Sequence, residues 1–168
     1  LGGDQFDAVM NYVLTETLIQ FCGQQHLDFD LAVTGASYDP YPAINGIHFA
    51  TKINRLMSNY HWDITQAQMN LLDSHDTPRL ISIASGDKNT VKLATLLLLT
   101  FPGAPSIYYG DEIGLPGGSD PDSRRAFPWD QPEQWDRDAF AYHKQLIALR
   151  TRHRLLRRGR LMNLHAGQ

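Results

Sequence analysis

The sequence predicts an α/β fold built from βα units around a parallel sheet, and three observations carry that prediction. Strand-like and helix-like stretches alternate along the chain, the pattern of crossover units rather than of a sandwich or a bundle. Polar clusters follow the apolar runs ending near Leu72 and Tyr109, which is where a parallel βα barrel places its ligands. With 168 residues, 42% hydrophobic and 20% charged, the chain is long enough to bury one core, which argues against disordered and collagen-like classes.

The elements follow in order. Phe6 to Asn11 reads as a first short strand, and Leu14, Leu18, Phe21 and Cys22 then recur near the helical period. A loop with Gly35, Pro40 and Pro42 precedes a longer helix, whose buried stripe is expected at Ile47, Ala50, Ile53, Met57 and Tyr60. Asp63 with Gln66 resembles a capping box for one more short helix, and Met69 to Leu72 reads as a second strand. Asn89 to Phe101 is a helix apolar nearly all round, stopped by Pro102-Gly103, and Ala104 to Tyr109 forms a third strand. Gly110 to Asp130 is loop-rich. The last helix, Asp136 to about Arg152, carries its stripe at Ala139, Tyr142, Leu146 and Leu149, and Leu161 to His165 could begin another strand. Three strands make an incomplete sheet with edges that something must cover.

A net charge of -3 and a pI near 6.1 provide no long-range attraction for nucleic acid or for an anionic membrane. The basic tail from Arg150 to Arg160 reads as a solvated helix end. The single cysteine, Cys22, sits among apolar residues and is expected to be a small buried group, since it can form no intramolecular disulfide. The longest apolar run, Leu96 to Leu99, is far too short to span a membrane. No signal peptide opens the chain, and a cytoplasmic location is expected; the missing Met at position 1 leaves an extracellular one open.

Chemistry is to be sought in two clusters. The first is Asp73-Ser74-His75-Asp76-Thr77-Pro78-Arg79; the second runs from Tyr108-Tyr109-Gly110-Asp111-Glu112 through Asp120-Pro121-Asp122-Ser123-Arg124-Arg125 to Phe127-Pro128-Trp129. In this order and setting, from Gly2-Gly3-Asp4-Gln5-Phe6-Asp7 to about Gly159, the chain resembles the α-amylase family of glycoside hydrolases, most of all its neopullulanase, cyclomaltodextrinase and maltogenic amylase branch.

The resemblance implies a partial TIM (β/α)8 barrel, roughly strands six to eight with their helices, over residues 1–158, with 159–168 starting a truncated C-terminal β domain. It implies hydrolysis of α-1,4-glucosidic bonds in malto-oligosaccharides, cyclodextrins or starch-like glucans. By the same resemblance Asp76 is the family's third, transition-state-binding carboxylate, and His75 donates to a hydroxyl of the same sugar unit. Asp120 and Arg124 would grip the neighbouring glucose, one accepting and one donating hydrogen bonds. A retaining glycosidase also needs a nucleophile and an acid, and neither has a matching position here. Catalysis by this chain alone is therefore not expected.

Arg79, Asp111, Glu112, Asp122 and Arg125 are expected to hold the loops in shape, while Tyr108, Tyr109, Phe127, Trp129 and Trp62 receive no role. Asp120 and Asp122 lack the spacing of a calcium loop, and His143 and His153 lie ten apart, so no metal and no cofactor are expected. The expected partner is an α-glucan, with neither nucleic acid nor membrane. The competing reading is a non-catalytic half-barrel that binds oligosaccharide, pairs with its own copies, or associates with a complementary N-terminal half.

Overall fold

The computed structural model describes residues 4–35 and 42–167. Gly2 and Gly3 of the opening motif and Pro40 of the first long loop lie outside the described residues.

Three βα units are laid side by side. Met10 forms an isolated parallel bridge with Met69, and β1 (Met69–Asn70) pairs in parallel with β2 (Ala104–Pro105). The three strands expected from the sequence are thus present in position but far shorter than their apolar runs. Leu71 and Leu72 are buried but lie beyond the end of β1, because the chain turns into the polar loop directly after Asn70.

One side chain ties the three segments together. Asn70 is fully buried; its Oδ1 accepts from Asn11 Nδ2 at 2.9 Å and its Nδ2 donates to Pro102 O at 2.8 Å. Gly103, at φ +120°, lets the backbone pass against this amide, where a Cβ would collide with the Asn70 side chain.

Each strand feeds a helix. Met10 leads into α1 (Tyr12–Gly23), capped by Asn11, whose side chain accepts from Leu14 N. After a single-turn α2 (Phe29–Ala32), α3 (Gly46–Ser58) and the short α4 (Trp62–Ala67) return the chain to β1. Beyond β1 come α5 (Leu80–Ile83) and α6 (Lys88–Thr100), the latter capped by Asp87. Beyond β2, a long loop leads to α7 (Arg137–Arg152), capped by Asp136, and α8 (Arg154–Arg158). Helix α1 packs against α3 and α6, and α6 against α7. The core between them includes Leu14, Leu18, Ile53, Leu80, Ile83 and Leu98, each contributing about 1.5–3 kcal/mol by burial.

Several expectations are corrected. In α3 the buried positions are Ile53 and Leu56, while Ile47 is 43% exposed; in the first turn it is Phe49, stacked on Phe21 of α1, that packs against the core. His61 rather than Asp63 stands at the N-cap of α4, without a side-chain cap, and Asp63 lies in the first turn. In α7 the buried face is His143, Leu146 and Arg150, and Leu149 is exposed.

Arg150 itself overturns the reading of the basic tail as wholly solvated. Its Nη1 donates to the carbonyls of Leu99, Phe101 and Leu156 at 2.9, 3.0 and 2.8 Å, and its Nη2 donates to Gly103 O. The guanidinium thereby satisfies the carbonyls left open where α6 ends and β2 begins. Leu161 to His165 forms no strand. Asn163 instead reaches back to α3, donating to Asn54 Oδ1 at 2.8 Å.

Candidate active site

Both polar clusters lie just beyond the strand segments. After β1 the chain stays buried through Asp73 and Ser74, surfaces at His75 and Asp76, and is buried again from Thr77 to Leu80. Hydrogen bonds shape this excursion. Ser74 Oγ accepts from Asp76 N at 3.1 Å and contacts Tyr12 Oη at 2.9 Å, while Thr77 Oγ1 accepts from Ser74 N at 2.9 Å. Asp73 Oδ2 accepts from Leu80 N at 2.7 Å, closing the loop against the start of α5.

The second cluster approaches the first from the loop after β2. Arg124 Nε donates to Asp120 Oδ1 at 2.6 Å, and Arg124 Nη2 lies 3.7 Å from Asp76 Oδ1. His75 Nε2 is 3.2 Å from that same Asp76 oxygen. The structure therefore brings together all four residues singled out in the sequence, His75, Asp76, Asp120 and Arg124, as one half-exposed row of alternating groups. Such a row presents donors and acceptors to a polyhydroxylated ligand.

Arg79, one of the residues expected to hold the loops in shape, unites the two loops. Arg79 is fully buried; its Nε donates to Ser123 O at 3.0 Å and its Nη1 to Tyr109 O, and Nη1 also lies 3.4 Å from Asp111 Oδ1. The guanidinium is stacked 4.3 and 4.7 Å from the ring centres of Tyr108 and Tyr109. Buried Ser123 adds a second tie, donating from Oγ to His75 O at 3.2 Å. An arginine immediately before an apolar helix start was the available signal. Glu112 accepts from Gly110 N, and Asp122 receives two hydrogen bonds from Arg125 and one from Gly118 N, all of them contacts within the loop.

The Asp73 and Asp111 carboxyls lie side by side beneath these loops, close enough for each to change the other's proton affinity. Burial raises the affinity of both for a proton, and for Asp111 the neighbouring Asp73 charge adds to it. Burial also pushes the Tyr108 hydroxyl up to about 12. Arg125 and a bond from Gly118 N hold the Asp122 carboxyl below its usual range. Among the described residues, no group of three or more His, Cys, Asp or Glu side chains converges as a metal would require.

Residues 1–138 match the family model described as alpha amylase, catalytic domain. The chain belongs to the α-amylase family. Within that family it is 42% identical over 159 residues to a cyclomaltodextrinase of Geobacillus thermopakistaniensis, covering 95% of this chain and 24% of that protein. It is 40% identical over 166 residues to neopullulanase 2 of Thermoactinomyces vulgaris, covering 99% of this chain and 25% of that one. The crystal structure of the debranching enzyme from Nostoc punctiforme superimposes with a TM-score of 0.91 at 49% identity, over 99% of this chain and 33% of its own. The chain thus spans about a quarter of the length of these curated α-amylase relatives, and its βα units form part of the family's barrel.

No described helix is long and apolar enough to cross a membrane.

Proposed function

We propose that this chain supplies the sugar-gripping edge of a retaining α-amylase-type active centre acting on α-1,4-glucosidic bonds of malto-oligosaccharides, cyclodextrins or starch-like glucans. The observation that carries the reading is the row His75, Asp76, Arg124, Asp120, assembled from two loops that end adjacent parallel strands. Asp76 binds hydroxyls of the sugar at the scissile bond and favours its distorted ring. His75 donates to the same unit, and Asp120 with Arg124 holds the neighbouring glucose. The nucleophile and the acid come from parts of the family's barrel that this chain does not match, and its strand segments correspond to roughly the sixth, seventh and eighth.

A second reading draws on the exposed apolar side chains beside the sheet: Phe6, Val9, Met10, Val13 and Met69 are 37 to 80% exposed. Such a strip suits a second copy or a complementary barrel half, in a protein that binds glucan without cleaving it. The cytoplasmic location belongs with these proposals and rests on composition alone.

The test is release of reducing sugar from maltotriose and β-cyclodextrin by the purified chain, with Asp76→Ala as control and molar mass measured on the same sample. Binding without release, lost in Asp76→Ala, supports the sugar-gripping edge. Turnover that disappears in Asp76→Ala would mean that a second copy or another carboxylate of this chain completes the centre. Binding and release both indifferent to Asp76 would end the reading.

A further inference from the structure

Beneath the candidate site the interior holds two carboxyls, Asp73 and Asp111, against one guanidinium, Arg79. Asp73 is 2% exposed, Arg79 is fully buried, and the Asp111 side chain is 16% exposed. With both carboxyls ionised this interior would carry an uncompensated negative charge, an arrangement that buried ion pairs avoid. The hydrogen bonds point the same way. Asp73 Oδ2 accepts from Leu80 N, but Asp73 Oδ1 and Arg79 Nη2 are both buried without a partner, and the Asp111 carboxyl stands beside Asp73. Two carboxylates cannot bond to each other; a carboxylic acid and a carboxylate can.

We propose that Asp111 keeps its proton at neutral pH and donates it to Asp73, so that one carboxylate balances Arg79 and the shared proton braces the two loops that carry Asp76 and Arg124. Asp73 is the acceptor because its other oxygen already takes the Leu80 amide, which favours its charged form. Both carboxyls gain affinity for the proton on burial, Asp111 the more, in keeping with that assignment.

The other titratable or charged groups facing Asp111 are Arg79, Glu112 on its own turn, and His143 from α7, which lines the same small apolar cavity as Asp111, Leu72 and Leu98. His143 Nδ1 is 2.9 Å from Ala139 O, so it is engaged on its own helix. Asp111 and Asp73 are positioning residues: they act through the loops and touch no sugar. Their consequence for glucan binding rests on the proposed reading of Asp76 and Arg124, whereas the protonation itself does not.

The sign of the effect follows from linkage. A carboxyl whose affinity for the proton rises on folding gives its full stabilisation below the unfolded carboxylate value, about pH 4. That stabilisation is lost as pH rises toward the folded value. Over this window the unfolding equilibrium constant grows by up to about tenfold per pH unit.

The experiment is urea unfolding of the chain, of Asp111→Asn and of Asp111→Ala from about pH 5 to about pH 8, above the ordinary carboxylate range. Asn supplies a donor without titrating, so the wild-type constant should rise with pH by close to tenfold per unit relative to Asp111→Asn. Asp111→Ala should unfold more readily than Asp111→Asn throughout. Infrared spectra of the folded wild-type chain at neutral pH should show a protonated carboxyl band that disappears in urea and is absent from Asp111→Asn; the wild-type measurement stands if the variant fails to fold. Parallel pH profiles for wild type and Asp111→Asn, or no such band at neutral pH, would overturn the proposal. Maltotriose binding indifferent to Asp76→Ala, with the band present, would instead remove the sugar reading and leave the proton in place.

Discussion

The Arg124 guanidinium stands 3.7 Å from the Asp76 carboxylate, although the two residues come from loops that follow different strands. Its Nε is held by Asp120 in the same loop, at 2.6 Å. The guanidinium is therefore aimed by one carboxylate and offered to the other. Its neighbours Asp76 and Asp120, and His75 beside Asp76, are half-exposed, so a ligand can replace water around them without unfolding anything.

Removing that guanidinium should affect binding and spare the fold. Arg124→Ala is expected to weaken maltotriose binding by about tenfold, the worth of one charge-assisted hydrogen bond. Its unfolding free energy should stay within about 0.5 kcal/mol of wild type, as for other exposed positions. Titration calorimetry and urea unfolding on the same preparation check both halves.

Arg150 should show the opposite profile. Its donors serve four backbone carbonyls at the junction of α6, β2 and α8. Truncation to Ala leaves several of them buried and unpaired, so a loss of about 3 kcal/mol is expected. A shift of the urea midpoint consistent with less than about 1 kcal/mol would contradict this account.

Asp136 caps α7, accepting from Asp138 N and Ala139 N at 3.1 and 3.0 Å, and pairs with Lys88 at 2.7 Å. These contacts, the Lys88 bond first, lower its proton affinity. Its contribution is thus present above the unfolded carboxylate value, about pH 4, and fades as pH falls through the lower folded value. Asp136→Ala should cost about 1 kcal/mol at neutral pH, and the gap between the two thermal melting curves should close in acid.

Cys22 is 7% exposed, and burial pushes its thiol up to about 12. Folded protein should resist alkylation by iodoacetamide at mildly alkaline pH and react once urea is added. Prompt modification of the folded chain, followed by mass spectrometry, would refute the packing described for α1.

His75, Asp76, Asp120 and Arg124 could be singled out because short polar motifs after apolar runs are local signals, and the structure brings these four together. The long helices were legible from periodicity, whereas the cap expected at Asp63 was misplaced and the single-turn α2 and α5 gave no periodic signal. Strand lengths were not: a parallel ladder is decided by partners far away in sequence, so the apolar run after Asn70 could not reveal that pairing stops there. Arg150 misled for a related reason. A cation in a last helical turn usually meets water and the helix dipole, whereas here the carbonyls at the end of α6 take it inside. Arg79 was assigned to loop support, but its place before an apolar helix start did not disclose that its guanidinium would be buried and would bond the loop after β2.

Asn70 turns the three strand segments into an all-or-none lock. Its amide is satisfied only while Asn11 and the Pro102 carbonyl both sit beside it, and slipping either neighbour by one residue strands a buried polar group. Partial openings that release a single βα unit are thereby penalised, so hydrogen exchange at the Asn11, Met69 and Ala104 amides, which join the segments, should report one common opening event rather than three.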